Sequence, residues 1–176
     1  MPEMTVFSHR SSATEEIGRV LSKISRPGDI LALDGDLGAG KTVLTRGIAM
    51  GLGLTSPVAS PTFMLVSEHK AQEKNQYSLY HFDVYRLRDG DDFCDAGLEE
   101  YFSLGGICVI EWGEVIHDVL SSSALHMNLK GTGDTREITF SFPEERSHDL
   151  AVLSEELAHV PDISFEGENK DADTCL

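Results

Sequence analysis

Eight consecutive residues, Gly35-Asp36-Leu37-Gly38-Ala39-Gly40-Lys41-Thr42, match the pattern G-x-x-x-x-G-K-[ST] in full. Each residue type has a physical task there. The glycines let the chain turn tightly and aim successive N–H groups at phosphate oxygens. A helix opening near Lys41 presents free N–H groups and the positive end of its dipole. Lys41 supplies a point charge for the β- and γ-phosphates, and the Thr42 hydroxyl is suited to magnesium. The chemistry these residues predict is binding of a nucleoside triphosphate with Mg²⁺.

Such a loop needs a further acid to organise the metal and a water. Two acids end apolar runs: Asp83 follows L-Y-H-F and Glu111 follows I-C-V-I. Both are expected at strand ends, where ligands of open α/β sheets bind. Ser60-Pro61-Thr62-Phe63 follows the loop's helix, and the Thr62 hydroxyl is a candidate sensor of the γ-phosphate or the metal. Trp112, the single tryptophan, directly follows Glu111 and is a candidate to shield the γ-phosphate region. His81 reads as a strand residue with a structural hydrogen bond. Arg86 is a candidate arginine finger, with a structural ion pair as the plainer reading. No finger is otherwise evident, which predicts slow intrinsic turnover and acceleration by a partner. Guanine readers usually carry Asn-Lys-x-Asp; the only Asn-Lys here, Asn169-Lys170, continues Asp171-Ala172 and fails it. Adenine is therefore favoured. A small-molecule kinase would need an arginine-rich lid, which the sequence lacks.

These residues require particular elements to hold them. Asp29 to Asp34 reads as a buried strand leading into the loop, and Val43 to Leu52 as the helix leaving it. Ser12 to Ile24 repeats Ile17, Val20, Leu21 and Ile24 at helical spacing, with Ser or Thr ahead of two glutamates as an N-cap signal. Thr62 to Glu68 and Tyr77 to Val84 are strand candidates around a polar hairpin, the second partly exposed. Asp89 to Tyr101 reads as loop then short helix, Ile107 to Ile110 as an apolar strand, and Trp112 to Leu120 as a short helix. Two late strands, Leu125 to Leu129 and Glu137 to Phe142, flank a G-T-G-D-T turn. Ser147 to Val160 is a final helix. The class is α/β: a P-loop NTPase-like three-layer fold with a mixed, mainly parallel sheet. Residues 1–160 are expected to form one ATPase domain and 161–176 an acidic, disordered tail.

Composition narrows the function classes. The chain has 176 residues and a formal net charge of −16. Strong autonomous nucleic-acid binding is not expected from that balance. From Pro143 onward ten acids face only Arg146 and Lys170, a net of −8. No apolar run reaches the roughly 18 residues that span a bilayer. The first ten residues show no signal-peptide pattern, so a cytoplasmic location without membrane partners is expected. The three cysteines, Cys94, Cys108 and Cys175, have no metal-knuckle or disulfide spacing.

In this order and spacing, G-D-L-G-A-G-K-T, S-P-T-F, H-F-D-V-Y-R (His81 to Arg86) and I-E-W-G-E (Ile110 to Glu114) resemble the TsaE family, also called YjeE. The resemblance runs from about Thr14 to Phe142. It implies a small P-loop ATPase required for N6-threonylcarbamoyladenosine (t6A) at position 37 of tRNAs reading ANN codons. It also implies ATP and Mg²⁺ as cofactors, and TsaD and TsaB proteins as partners. Carried over by residue, Leu37, Gly38, Ala39, Gly40, Lys41 and Thr42 hold the phosphates, and Thr42 and Glu111 the metal. Asp83 orients or activates water, Thr62 is a switch hydroxyl, and Trp112 lies close to the nucleotide. Thr14 lies near the base, and Arg136, after the Gly-rich turn, covers the adenine. A nucleotide-gated binding module in which hydrolysis is incidental is the alternative.

Overall fold

The computed structural model describes residues 1–167. The chain runs β1 (Glu3–Ser8), α1 (Ser11–Ile24), β2 (Ile30–Asp34), α2 (Lys41–Gly51), β3 (Val66–His69), β4 (Leu79–Asp83), α3 (Gly90–Asp95), β5 (Ile107–Glu111), β6 (Leu125–Lys130), β7 (Arg136–Ser141), α4 (Ser147–Leu157) and β8 (Ile163–Phe165). Short 3₁₀ turns span Leu98–Ser103, Gly113–Ile116 and Glu144–Arg146. One sheet takes all eight strands in the order β3-β4-β5-β2-β6-β7-β1-β8.

The sheet is mixed, as expected, but it is not mainly parallel. The β4–β5, β5–β2 and β2–β6 pairs are parallel, and the other four pairs are antiparallel. The short connections of β3 to β4 and of β6 to β7 allow only antiparallel pairing, because a parallel return needs a long crossover, and β1 adds two further antiparallel pairs, with β7 and β8. The parallel pairs sit in the middle and place the carboxyl ends of β4, β5 and β2 side by side.

Helices on both faces make three layers. Alternate residues of the strands, such as Leu31, Leu33, Val109 and Met127, pack against α1, α2 and α4. The opposite residues, such as Ile30, Phe82, Cys108 and Ile110, pack under α3 and the 3₁₀ turns. β4 is therefore buried rather than partly exposed: Leu79, Tyr80, His81 and Phe82 are all shut away from solvent. Cover on both faces outweighs the Tyr and polar alternation that suggested a solvent side.

α1 and α2 touch at glycine. A Cβ on Gly18 would sit 2.3 Å from the Leu44 carbonyl oxygen, and one on Gly47 would sit 1.9 Å from that of Glu15. This close approach fixes the helix that follows the phosphate loop. α1 begins one residue before the expected start, after Arg10, with no side-chain cap. The Thr14 hydroxyl bonds Ser8 Oγ instead, at 2.6 Å.

Two strands escaped the sequence reading. β1 pairs with β7 across its whole length, and β8 pairs with β1. The expected tail boundary after residue 160 is therefore displaced. Ile163–Phe165 is sheet, and the His9 amide donates to the Asp162 carbonyl at 2.9 Å. The remainder of the expected tail, 168–176, lies outside the described residues. Among the described residues no helix is long and apolar enough to cross a membrane.

Candidate nucleotide site

The phosphate loop joins β2 to α2, and its shape depends on residues with positive φ. Gly38 and Gly40 take φ of 79° and 102°, values that a side chain would resist. Gly40 is the residue from which α2 starts. The first N–H groups of that helix have no intrahelical acceptor and open on a cleft of about 270 Å³. Residues Leu37–Val43 line it, with Ser60, Asp83, Glu111, Trp112 and Arg136.

Strand register explains why acids meet there. Asp83 stands opposite Glu111 in the β4–β5 pair, and Glu111 opposite Leu33 in the β5–β2 pair. Asp34, Asp83 and Glu111 thus end three adjacent parallel strands. Glu111 is buried, and its Oε1 accepts from Thr42 Oγ1 at 2.9 Å and from His81 Nε2 at 2.7 Å. Asp83 accepts from Ser60 Oγ at 2.5 Å and from the Tyr85 amide at 3.1 Å.

Lys41 is buried, and its ammonium donates to the carbonyls of Gly35 (2.5 Å) and Asp36 (2.9 Å). The same nitrogen lies 3.9 Å from the centre of the Trp112 ring. Desolvation pushes the Lys41 pKa down, while Glu111, Glu114, Asp83 and Asp34 oppose that shift. Trp112 holds a left-handed backbone, φ 66°, and its ring meets Tyr85 at 4.7 Å. A non-glycine residue in that region is strained, a state that clusters at functional sites.

Arg136 bridges the β6–β7 turn to the loop. It donates to the carbonyls of Gly133 (2.6 Å), Thr135 (2.9 Å) and Gly38 (3.1 Å), and its buried Nε has no hydrogen-bond partner. Thr14 is buried beside Gly40, Val43 and Arg136 in a recess of about 20 Å³. The cleft lining therefore combines one arginine, Arg136, with the carboxylates of Asp83 and Glu111.

Two expected residues lie beside the cleft rather than in it. Thr62 lines an adjoining cavity of about 310 Å³ with Tyr85 and Arg86, and its hydroxyl donates to the Ser60 carbonyl at 3.3 Å. Arg86 stacks on Phe63, its guanidinium 4.6 Å from the ring centre. The sequence reading overlooked Ser60, the residue that engages Asp83, although the S-P-T-F segment contained it. It also overlooked Asp34 and Glu114. The Glu114 amide donates to Asp34 Oδ1 at 2.8 Å, and desolvation, then the contact with Asp34, raises the Glu114 pKa to about 7.

Among the described residues no group of three His, Cys, Asp or Glu could hold a metal ion unaided. Magnesium typically takes only one or two protein carboxylates beside substrate phosphates and keeps several waters. The Thr42 hydroxyl and the Glu111 carboxylate form such a partial donor set, already within 2.9 Å of each other.

Comparison with known proteins identifies relatives of the chain. Residues 8–138 match the family described as "Threonylcarbamoyl adenosine biosynthesis protein TsaE". A tRNA threonylcarbamoyladenosine biosynthesis protein TsaE of Bacillus subtilis (strain 168) is 42% identical over 152 residues, 86% of this chain and 91% of its own length. Its namesake in Treponema pallidum is 37% identical, covering 77% of this chain and 98% of its own. The crystal structure of Bacillus subtilis YdiB superposes with a TM-score of 0.71 at 36% identity, over 89% of this chain and 95% of that one.

Proposed function

The chain belongs to the TsaE family, and from that premise we propose that it acts in tRNA threonylcarbamoyladenosine biosynthesis as an Mg²⁺-dependent ATPase working with TsaD and TsaB proteins in the cytoplasm. The observation that carries the ATPase reading is the convergence of Lys41, Thr42 and Glu111 at the carboxyl ends of the parallel strands.

The roles follow from placement. Lys41 exchanges the carbonyls of its own loop for β- and γ-phosphate oxygens. The glycine-rich turn and the first N–H groups of α2 complete the phosphate cradle. Thr42 and Glu111 would hold the metal, which would supply positive charge against that of the phosphates. Asp83, opposite Glu111 in register, orients a water for attack on the γ-phosphorus. Trp112 closes the cleft over Lys41 and excludes bulk water. Arg136 and Thr14 occupy the side away from the acids and favour the base end of the nucleotide. Thr62 serves as a switch hydroxyl from the adjoining cavity.

Arg136 is engaged by loop carbonyls, and Arg86 stands in the adjoining cavity that Asp83 also lines, stacked on Phe63 rather than turned to the phosphate loop. Phosphoryl transfer relies on charge stabilisation, and an arginine supplied by a partner is worth about 10³- to 10⁵-fold in rate. Hydrolysis by the isolated chain is therefore slow and depends on the partner pair.

The test uses Asp83→Ala in reconstituted t6A formation with TsaD and TsaB. Loss of multiple turnover with ATP binding intact supports the enzyme reading. Full support of t6A formation by a variant that cannot hydrolyse ATP would replace it with a nucleotide-gated binding module.

A further inference from the structure

His81 lies in β4, separated from the phosphate loop's own strand by β5, and is fully shielded from solvent. Its Nε2 is 2.7 Å from Glu111 Oε1. A nitrogen that close to a carboxylate oxygen must carry a proton, so Nε2–H donates. The other ring nitrogen, Nδ1, has no hydrogen-bond partner, so this bond is the only one the ring makes among the described residues. His69, on the paired strand β3, lies beside it with ring centres 6.5 Å apart, and is itself fixed by Ser56 Oγ at 2.6 Å from its Nδ1. The His81 ring is thus wedged in the sheet and aimed at one acceptor.

That acceptor oxygen serves two donors. Thr42 Oγ1 and His81 Nε2 converge on the same Oε1. The two donors differ in one respect. Thr42 lies on the loop, and its oxygen is shared with whatever the loop binds. His81 belongs to the sheet and is not among the residues that line the cleft. A buried carboxylate held only by a ligand-shared hydroxyl would turn whenever that hydroxyl moved.

We propose that His81 is a positioning residue that locks the Glu111 carboxylate in its metal-accepting orientation, independently of the state of the phosphate loop. This inference rests on the nucleotide reading of the site. Outer-sphere hydrogen bonds of this kind orient metal-binding groups, and losing one typically costs about 10- to 100-fold in metal affinity.

The experiment is calorimetric titration of a non-hydrolysable ATP analogue without and with Mg²⁺. It compares the wild type with His81→Gln, His81→Asn and His81→Leu. The amide nitrogen of glutamine falls near the position of Nε2, whereas that of asparagine falls near Nδ1. Without metal, all four proteins should bind the analogue within about threefold of one another, since His81 does not touch the phosphate cradle. With metal, the apparent Mg²⁺ affinity should fall about 10- to 100-fold in H81N and H81L and recover in H81Q. Wild-type Mg²⁺ affinity in H81N, or equal losses in H81N and H81Q, would overturn the proposal. If H81L does not fold, the two polar variants carry the comparison, with Tm recorded for each. Failure of the wild type to bind the analogue under either condition would instead remove the nucleotide reading, and the role of His81 with it.

Discussion

Thr42 and Glu111, 69 residues apart in sequence, share a hydrogen bond of 2.9 Å between hydroxyl and carboxylate. One residue opens the helix after the phosphate loop and the other ends the neighbouring parallel strand. A hydrogen bond to a charged group contributes about 1.5–3 kcal/mol. Here it also prearranges two of the groups that would meet a metal, so little ordering is left for the moment of binding.

Replacing Lys41 with alanine should abolish most nucleotide affinity and leave the fold intact. The ammonium is held by loop carbonyls and an aromatic face, not by core packing. Loss of a charge-assisted contact of about 1.5–3 kcal/mol predicts about 10- to 100-fold weaker ATP binding by calorimetry. Unchanged affinity would contradict this assignment.

Asp83→Asn should separate binding from chemistry. The Ser60 hydroxyl and the Tyr85 amide both point to this carboxylate, and neither contact defines the phosphate cradle. Removing a general base or water-orienting group lowers a rate by about 10²- to 10⁴-fold. Steady-state hydrolysis should fall by that order while ATP affinity stays near the wild-type value. A parallel fall in affinity would place Asp83 in binding instead.

Glu114 should make stability depend on pH in an unusual sense. Its pKa in the folded protein is raised from 4.5 to about 7, by desolvation first and then by Asp34. The folded protein keeps a proton that the unfolded chain releases, so this contribution is full at low pH and is lost as pH rises through that window. His69 and His126, whose pKa values desolvation lowers, act in the opposite sense and lose their contribution as pH falls. The difference between wild type and Glu114→Gln isolates the acid. Wild-type Tm should drop relative to the variant between about pH 5 and pH 7.5. A constant difference would show that Glu114 ionises normally.

The C-terminal helix should prove indispensable to the fold. Leu150, Leu153 and Leu157 of α4 belong to the main core, and Arg146 donates to both Asp29 and Asp149 beneath it. Leu153→Ala should cost about 2–5 kcal/mol in denaturant unfolding. A chain ending before Ser147 should not fold cooperatively. A cooperative, nucleotide-binding truncation would show that α4 is an appendage.

The candidate site was largely legible in the sequence because its residues are local. The Gly35–Thr42 motif carries both its bend and the groups proposed to meet phosphate in eight contiguous residues, and Asp83 and Glu111 each end an apolar run that reads as a strand. What the sequence left open depends on contacts across the fold. β1 and the edge strand β8 are only partly buried and their partners come from the other end of the chain, so no local pattern announces them. The bonds of Ser60 to Asp83 and of His81 to Glu111 arise from strand pairing and loop return, which a linear reading does not supply. The acids around the last helix did not hide it: Leu150, Leu153 and Leu157 recur at helical spacing and are buried in the core, whereas β8 beyond it pairs with a strand from the other end of the chain.

The most direct measurement is ATP hydrolysis by the purified chain, alone and then with TsaB and TsaD together. Slow hydrolysis alone and strong stimulation by the pair, toward the roughly 10³- to 10⁵-fold that an arginine in trans supplies, is the predicted result. Equal rates in the two conditions would contradict a partner-dependent ATPase.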